Sequence, residues 1–315
     1  VMFKLITRFI YNTEMSFNHQ HILNTKQFKR SDLEHIIQLS HKIENNMDYY
    51  KSTLNGKILS TLFYEPSTRT RISFEAAMLK LGGSVISNPG MVEFSSVSKG
   101  ETLQDTAKVI SSYCDILSVR HPDKGSVEEF TKGSNIPVIN AGDGTGEHPT
   151  QALLDLFTIE KSLCRIDNIK IAFVGDLKYG RTVHSLVRLL RRFENIEFVF
   201  VSPEQLKIPD NISKKTKHRN TFCMRDGIQG VDIIYMTRIQ KERFVLESEY
   251  SKYKGIYRLD KEVMGNLGDV KIMHPLPRVD ELSTDLDDDP RSIYFEQVKN
   301  GLFVRMALIV LLLGK

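Results

Sequence analysis

The run Ser67-Thr68-Arg69-Thr70-Arg71 packs three hydroxyls and two guanidinium groups into five residues, after an apolar stretch that reads as a strand and at the opening of a helical pattern. That position decides its chemistry. The first N–H groups of a helix have no partner within it and carry partial positive charge. Hydroxyl donors and an arginine fork placed there form a site for a dianionic phosphate without a glycine loop. The blander alternative is an N-cap followed by surface arginines.

Further candidates stand at the ends of other predicted strands. They are Ser95, Ser96, Ser98 and Lys99 in a polar loop, Arg120-His121-Pro122, and His148-Pro149-Thr150-Gln151 at the start of the next helix. In the second half they are Gly175-Asp176-Leu177-Lys178-Tyr179-Gly180-Arg181-Thr182, Arg238 with Gln240, and His274-Pro275-Leu276-Pro277-Arg278. Singly, Arg120 or His148 reads as a structural residue. Their common place at strand carboxyl ends, where open α/β sheets bind ligands, favours one shared site. Two nucleotide motifs are rejected: Gly175 and Gly180 stand at P-loop spacing but Arg181 occupies the place of the required lysine, and Gly142, Gly144 and Gly146 miss the GxGxxG spacing.

The elements that must carry these residues alternate from Lys57 onward. Residues 58–64, 84–86, 115–119 and 136–140 read as strands. Helices are predicted over 73–81, closed by Gly82-Gly83, over 101–112, and over 149–160 with proline in the first turn. A second set follows: strands at 169–174, 197–201, 231–236 and 270–273, a helix over 182–193, and a final helix over 293–313. The βαβα order implies parallel sheets. The fold class is therefore α/β, with two doubly wound parallel-sheet domains joined by helices and a C-terminal helix crossing back to the first domain. The expected division is an N-terminal extension over 1–20, a first domain over 21–149 completed by 293–315, and a second domain over 150–292, hinged near the helix after His148. The cleft between them is the natural ligand site.

At 315 residues, 41% hydrophobic and 26% charged, the chain can build a sizeable core. A net charge of +4 is too mild to imply nucleic acid, yet it favours small anions wherever arginines converge. Cys114, Cys164 and Cys223 lie far apart without CxxC or Cys/His spacing, which argues against a disulfide framework or zinc site and for a reducing, cytoplasmic setting. No apolar run reaches the roughly 18 residues of a membrane span. Residues 1–11 hold Lys4 and Arg8 and no acid, a pattern faintly like a targeting segment, with a floppy extension as the simpler reading. The basic run 214–219 lacks interleaved aromatics and reads as a solvated loop. Asp285, Asp287, Asp288 and Asp289 lack calcium-loop spacing and read as surface. No metal or cofactor is implied.

Phe63-Tyr64-Glu65-Pro66-Ser67-Thr68-Arg69-Thr70-Arg71 resembles the carbamoyl phosphate signature of the aspartate and ornithine carbamoyltransferase family. Lys99-Gly100-Glu101-Thr102, Arg120-His121-Pro122, His148-Pro149-Thr150-Gln151, the segment 175–186 and the segment 236–243 resemble the family in the same order, so the likeness runs from about Phe28 to Leu313. His274-Pro275-Leu276-Pro277-Arg278 resembles the aspartate branch, where the ornithine branch carries a cysteine-containing HCLP. Arg181, Arg238 and Gln240 also suit a dicarboxylate.

The resemblance implies transfer of a carbamoyl group from carbamoyl phosphate to L-aspartate, early in pyrimidine synthesis. Ser67, Thr68, Arg69 and Thr70 would hold the phosphate, and Arg120 would bridge phosphate and carbonyl oxygen. His148 would polarise that carbonyl. Gln151 and the backbone carbonyls of Leu276 and Pro277 would receive the carbamoyl amide. Arg181, Arg238 and Gln240 would hold the aspartate carboxylates. Ser95 and Lys99 would reach in from the neighbouring subunit of a homotrimer, and Glu65 with Arg243 would link the two domains on closure. Regulatory chains stay open. Two other readings remain: a carbamoyltransferase for ornithine or another amine, and a catalytically silent scaffold.

Overall fold

The computed structural model describes residues 17–91, 99–240, 250–253, 255–265 and 267–314. Residues 1–16, Ser95 and Arg243 lie outside them.

Helix α1 (Arg30–Asn45) precedes the alternating region and buries Leu33, Ile36, Ile37 and Ile43, spaced to share one helical face. Its first turn is closed by Asp32, whose Oδ2 accepts from Lys29 N–H at 2.8 Å. Strand β1 (Ile58–Phe63) is buried along nearly its whole length, as expected of a central strand covered on both faces. Then follow α2 (Thr68–Lys80), β2 (Ser84–Asn88), α3 (Leu103–Ile110), β3 (Ile116–His121), α4 (Ser126–Thr131) and β4 (Val138–Asp143). These strands form one sheet in the order β2-β1-β3-β4, parallel throughout.

Helix α5 (Pro149–Leu163) leads into a second parallel sheet, built from β5 (Lys170–Val174), α6 (Arg181–Leu190), β6 (Glu197–Val201), β7 (Lys217–Thr221), β8 (Ile233–Met236) and β9 (Lys271–Met273). Its order is β7-β6-β5-β8-β9. The final helix α7 (Tyr294–Leu313) returns to pack on α1, α2 and α5. Lys161 on α5 clasps this arrangement, donating to Glu44 of α1 at 2.6 Å and to Glu296 of α7 at 2.7 Å. The α/β class, the two parallel sheets and the returning helix are thus as the sequence indicates. No helix among the described residues is long and apolar enough to cross a membrane.

Two local expectations change. Part of the basic run taken as a loop is strand: Lys217–Thr221 is edge strand β7 beside β6. Its residues are almost all exposed and give no apolar alternation to read, while lysine and arginine on an edge discourage pairing with another chain. The helix expected from residue 73 starts at Thr68, within the hydroxyl–arginine run. The aspartates read as surface are so: Asp285, Asp287 and Asp288 are exposed and Asp289 is partly exposed, and two of them hold ion pairs, Arg278 donating to Asp287 Oδ2 at 2.7 Å and Arg291 to Asp289 Oδ2 at 2.7 Å.

Candidate active site

The carboxyl ends of β1, β3 and β4 on one side and of β5, β8 and β9 on the other open onto a single cleft of about 660 Å³. On the first side, α2 begins with Ser67 as its N-cap, and the Ser67 side chain makes no capping bond. Ser67, Thr68, Arg69 and Thr70 line the cleft around the unpaired N–H groups of that helix start. Arg71 does not. It turns to Glu75, at 3.1 Å, and to Ser87.

Arg120 at the end of β3 is mostly buried, and its Nη2 lies 2.6 Å from Glu65 Oε1. Burial, with Arg181 and Arg69 nearby, pulls its pKa down to about 10, so it stays charged at neutral pH. Gly142 makes room for it. A Cβ there would sit 3.3 Å from Arg120 Nη1 and 3.6 Å from Arg181 Nη2, on backbone at φ +123°.

His148 is the N-cap of α5 and is 4% exposed. Burial and the surrounding arginines hold its pKa well below the usual imidazole value, so the ring is neutral at pH 7. The loop carrying it is fixed by Asp143, whose Oδ1 accepts from Glu147 N–H at 2.6 Å, and by Glu147, which takes Arg188 at 2.9 Å. Gln151, one turn into α5, also lines the cleft.

On the second side, Arg181 is the first residue of α6 and donates to the Gly144 carbonyl, with Glu65 3.6 Å from its Nη2. Arg238, Gln240, Leu276 and Pro277 line the same wall. His274 also lines the cleft, yet both its ring nitrogens are engaged: Nδ1 accepts from Leu276 N–H at 2.8 Å and Nε2 faces Glu281 at 2.7 Å. It holds the turn. Arg278 points elsewhere, to Asp287 and over the Tyr294 ring.

The structure brings Ser67, Thr68, Arg69, Thr70, Arg120, His148, Gln151, Arg181, Arg238, Gln240, Leu276 and Pro277 together on one cleft. Lys99 is exposed and does not line its own chain's cleft. Arg305 joins the lining although the sequence reading passes it over. It lies on α7, is 4% exposed, and fits where Gly301 leaves space, since a Cβ there would come within 2.5 Å of its Nη1. A lone arginine inside the apolar run 302–313 was the available signal, because a buried charge needs a reason. Arg120 Nε, Arg305 Nε and His148 Nδ1 are buried without a hydrogen-bond partner among the described residues. Among the described residues of the lining, five arginines therefore face one carboxylate, Glu65. Such a site is built for anions.

The family model for the carbamoyl phosphate-binding domain of aspartate/ornithine carbamoyltransferases matches residues 20–161, and the model for the Asp/Orn-binding domain matches residues 167–312. This chain belongs to the aspartate/ornithine carbamoyltransferase family. Within it, the chain is 48% identical over 303 residues to the aspartate carbamoyltransferase catalytic subunit of Clostridium kluyveri, covering 94% of this chain and 98% of that one. It is 50% identical over 309 residues to that of Leptospira biflexa, covering 95% and 98%. Among solved structures it resembles the catalytic subunit of M. jannaschii aspartate transcarbamoylase, with TM-score 0.88 and 48% identity over 94% of this chain and 98% of the other. The Trypanosoma cruzi aspartate transcarbamoylase in complex with N-(phosphonacetyl)-L-aspartic acid gives TM-score 0.86 and 42% identity over 92% and 94%.

Proposed function

We propose that this chain is an aspartate carbamoyltransferase, converting carbamoyl phosphate and L-aspartate to N-carbamoyl-L-aspartate and phosphate. The observation that carries the reading is the cleft lining: among the described residues, five arginines, divided between the two walls, stand against the single carboxylate Glu65. Arg69 and Arg120 with the start of α2 suit a phosphate. Arg181, Arg238 and Gln240 suit the two carboxylates of aspartate. An ornithine side chain needs an acid for its ammonium, and among the described residues the lining's one carboxylate, Glu65, already lies between Arg120 and Arg181.

In this reading residues 21–149 with α7 hold carbamoyl phosphate and residues 150–292 hold aspartate. The aspartate nitrogen attacks the carbonyl carbon, a tetrahedral oxyanion forms, and the C–O bond to phosphate breaks as it collapses. Arg69, the mostly buried Arg120 and the buried, neutral His148 ring, acting as a hydrogen-bond donor, stabilise the developing negative charge, and one such preorganised donor is worth about 3–4 kcal/mol. The aspartate nitrogen attacks as the free amine, its ammonium proton having passed to solvent, and the second proton leaves the nitrogen of the tetrahedral intermediate for the departing phosphate. Neither a covalent intermediate nor a metal has a part in these steps.

A homotrimer completes the site in this reading, with Ser95 and Lys99 supplied by the neighbouring subunit. Two features support it: Lys99 stands outside its own cleft, and the apolar side chains Ile72 and Leu79 on α2 and Ile86 on β2 are 50%, 59% and 46% exposed, as suits contact with a partner copy. The spacing of the three cysteines supports a cytoplasmic setting. Calorimetric titration with N-(phosphonacetyl)-L-aspartic acid, which carries phosphonate and both carboxylates, tests the reading. Tight binding that weakens by about tenfold or more in Arg69→Ala and in Arg238→Ala is expected. Absence of binding to the unsubstituted chain overturns it.

A further inference from the structure

Helix α5 carries a fully buried carboxylate, Asp155, that does not line the cleft. Three donors from three elements converge on it. Gln151, one turn earlier on α5, gives its Nε2–H to Oδ1 at 2.8 Å. Gln297 of α7 gives its Nε2–H to the same oxygen at 2.7 Å, and Tyr235 of β8 gives its hydroxyl to Oδ2 at 2.7 Å. Arg305 of α7 is the nearby cation.

Above its pKa of about 7 Asp155 is an ionised carboxylate that only accepts, and in that state it dictates which end of each carboxamide faces it. Gln151 must turn its nitrogen to Asp155, which leaves Oε1 as the end available to the cleft. Gln297 must do likewise, and its own Oε1 accepts from His274 N–H at 3.0 Å, immediately before Leu276 and Pro277. We propose that Asp155 is a positioning residue for recognition of the carbamoyl amide: it sets Gln151 with its acceptor toward the substrate NH2 and, through Gln297, fixes the turn that offers the Leu276 and Pro277 carbonyls. The inference rests on the function proposed above. Packing does not account for the carboxylate, because an apolar side chain of similar volume would fill the same space without the cost of a buried charge, a cost that lifts the Asp155 pKa to about 7 despite three donors.

Carbamoyl phosphate differs from acetyl phosphate only in having NH2 where the latter has CH3. A residue that orients the amide acceptor therefore affects one ligand and spares the other, whereas a merely structural residue affects both. The experiment measures dissociation constants of carbamoyl phosphate, acetyl phosphate and inorganic phosphate for the intact chain, Asp155→Leu and Asp155→Asn.

In Asp155→Leu, carbamoyl phosphate is expected to weaken by about tenfold or more while the other two change by less than about threefold, as for loss of an oriented buried hydrogen bond. Asp155→Asn, which can keep an oxygen toward Gln151 and turn its nitrogen to the Tyr235 hydroxyl, is expected to recover most of the discrimination. Equal weakening of all three ligands in Asp155→Leu, or no change in any, overturns the proposal. A folded parent that binds no carbamoyl phosphate instead overturns the functional reading beneath it. Should Asp155→Leu not fold, a crystal structure of the intact chain with carbamoyl phosphate decides. Gln151 bridging Asp155 and the carbamoyl nitrogen supports the proposal, and Gln151 rotated off Asp155 overturns it.

Discussion

Arg120 and His148 show how burial sets the chemistry of single side chains. Replacing Arg120 by Ala removes a donor in a desolvated cleft, and kcat is expected to fall by about 10²–10³-fold in steady-state assays. A fall of less than about fivefold would place the oxyanion elsewhere. For His148 the sign follows from its lowered pKa: the folded chain holds the ring neutral, so its stability contribution is complete above the unfolded pKa near 6.5 and is lost as pH falls below that. His148→Gln is therefore expected to lose less thermal stability than the parent between pH 7 and pH 5, and parallel losses would contradict the assignment. Gly142→Ala combines φ strain with a Cβ against two guanidiniums, and a cost of about 1–3 kcal/mol should appear as a raised KM for carbamoyl phosphate with the fold intact. The hydroxyl–arginine run was legible because its residue types sit at a helix start. Asp155 was not, since a single charge inside an apolar period looks like an interruption until its partners, far away in sequence, are known; the lone Arg305 in the apolar run 302–313 signals a buried charge without saying what it faces.

Elements with continuous burial were the easiest to read, and β1, β5 and β8 were recognised from apolar runs alone. Edge strand β7 was hidden because nothing in Lys217–Thr221 distinguishes a solvated strand from a solvated loop; its backbone pairing with β6 is a tertiary fact. Helix α1 lies ahead of the alternation that organised the reading, although its apolar spacing is regular. The ties between elements are charges the sequence could not pair. Lys161 joins α5 to both α1 and α7, so Lys161→Met leaves Glu44 and Glu296 without their cation. A cost of about 1–3 kcal/mol is expected, at about 2–4 °C in Tm per kcal/mol, read by thermal unfolding. An unchanged Tm would mean that α7 is held by apolar packing alone.

At the scale of the whole molecule, the two-domain plan followed from the order of elements, while the way the cleft collects residues from both sheets needed three dimensions. The trimer proposed for the site gives a test that one chain cannot mimic. Lys99→Ala and Arg69→Ala should each be nearly inactive, and mixing them under conditions that exchange subunits should restore part of the activity, because some sites then draw both intact residues from different chains. No recovery on mixing would place Lys99 outside the shared site. The most direct test of the proposed reaction is ureido-product formation from carbamoyl phosphate, measured with L-aspartate and separately with L-ornithine, for the intact chain and for Arg69→Ala. Turnover with aspartate alone, abolished by the substitution, is the expected result; turnover with ornithine, or none with either amino acid, would contradict it.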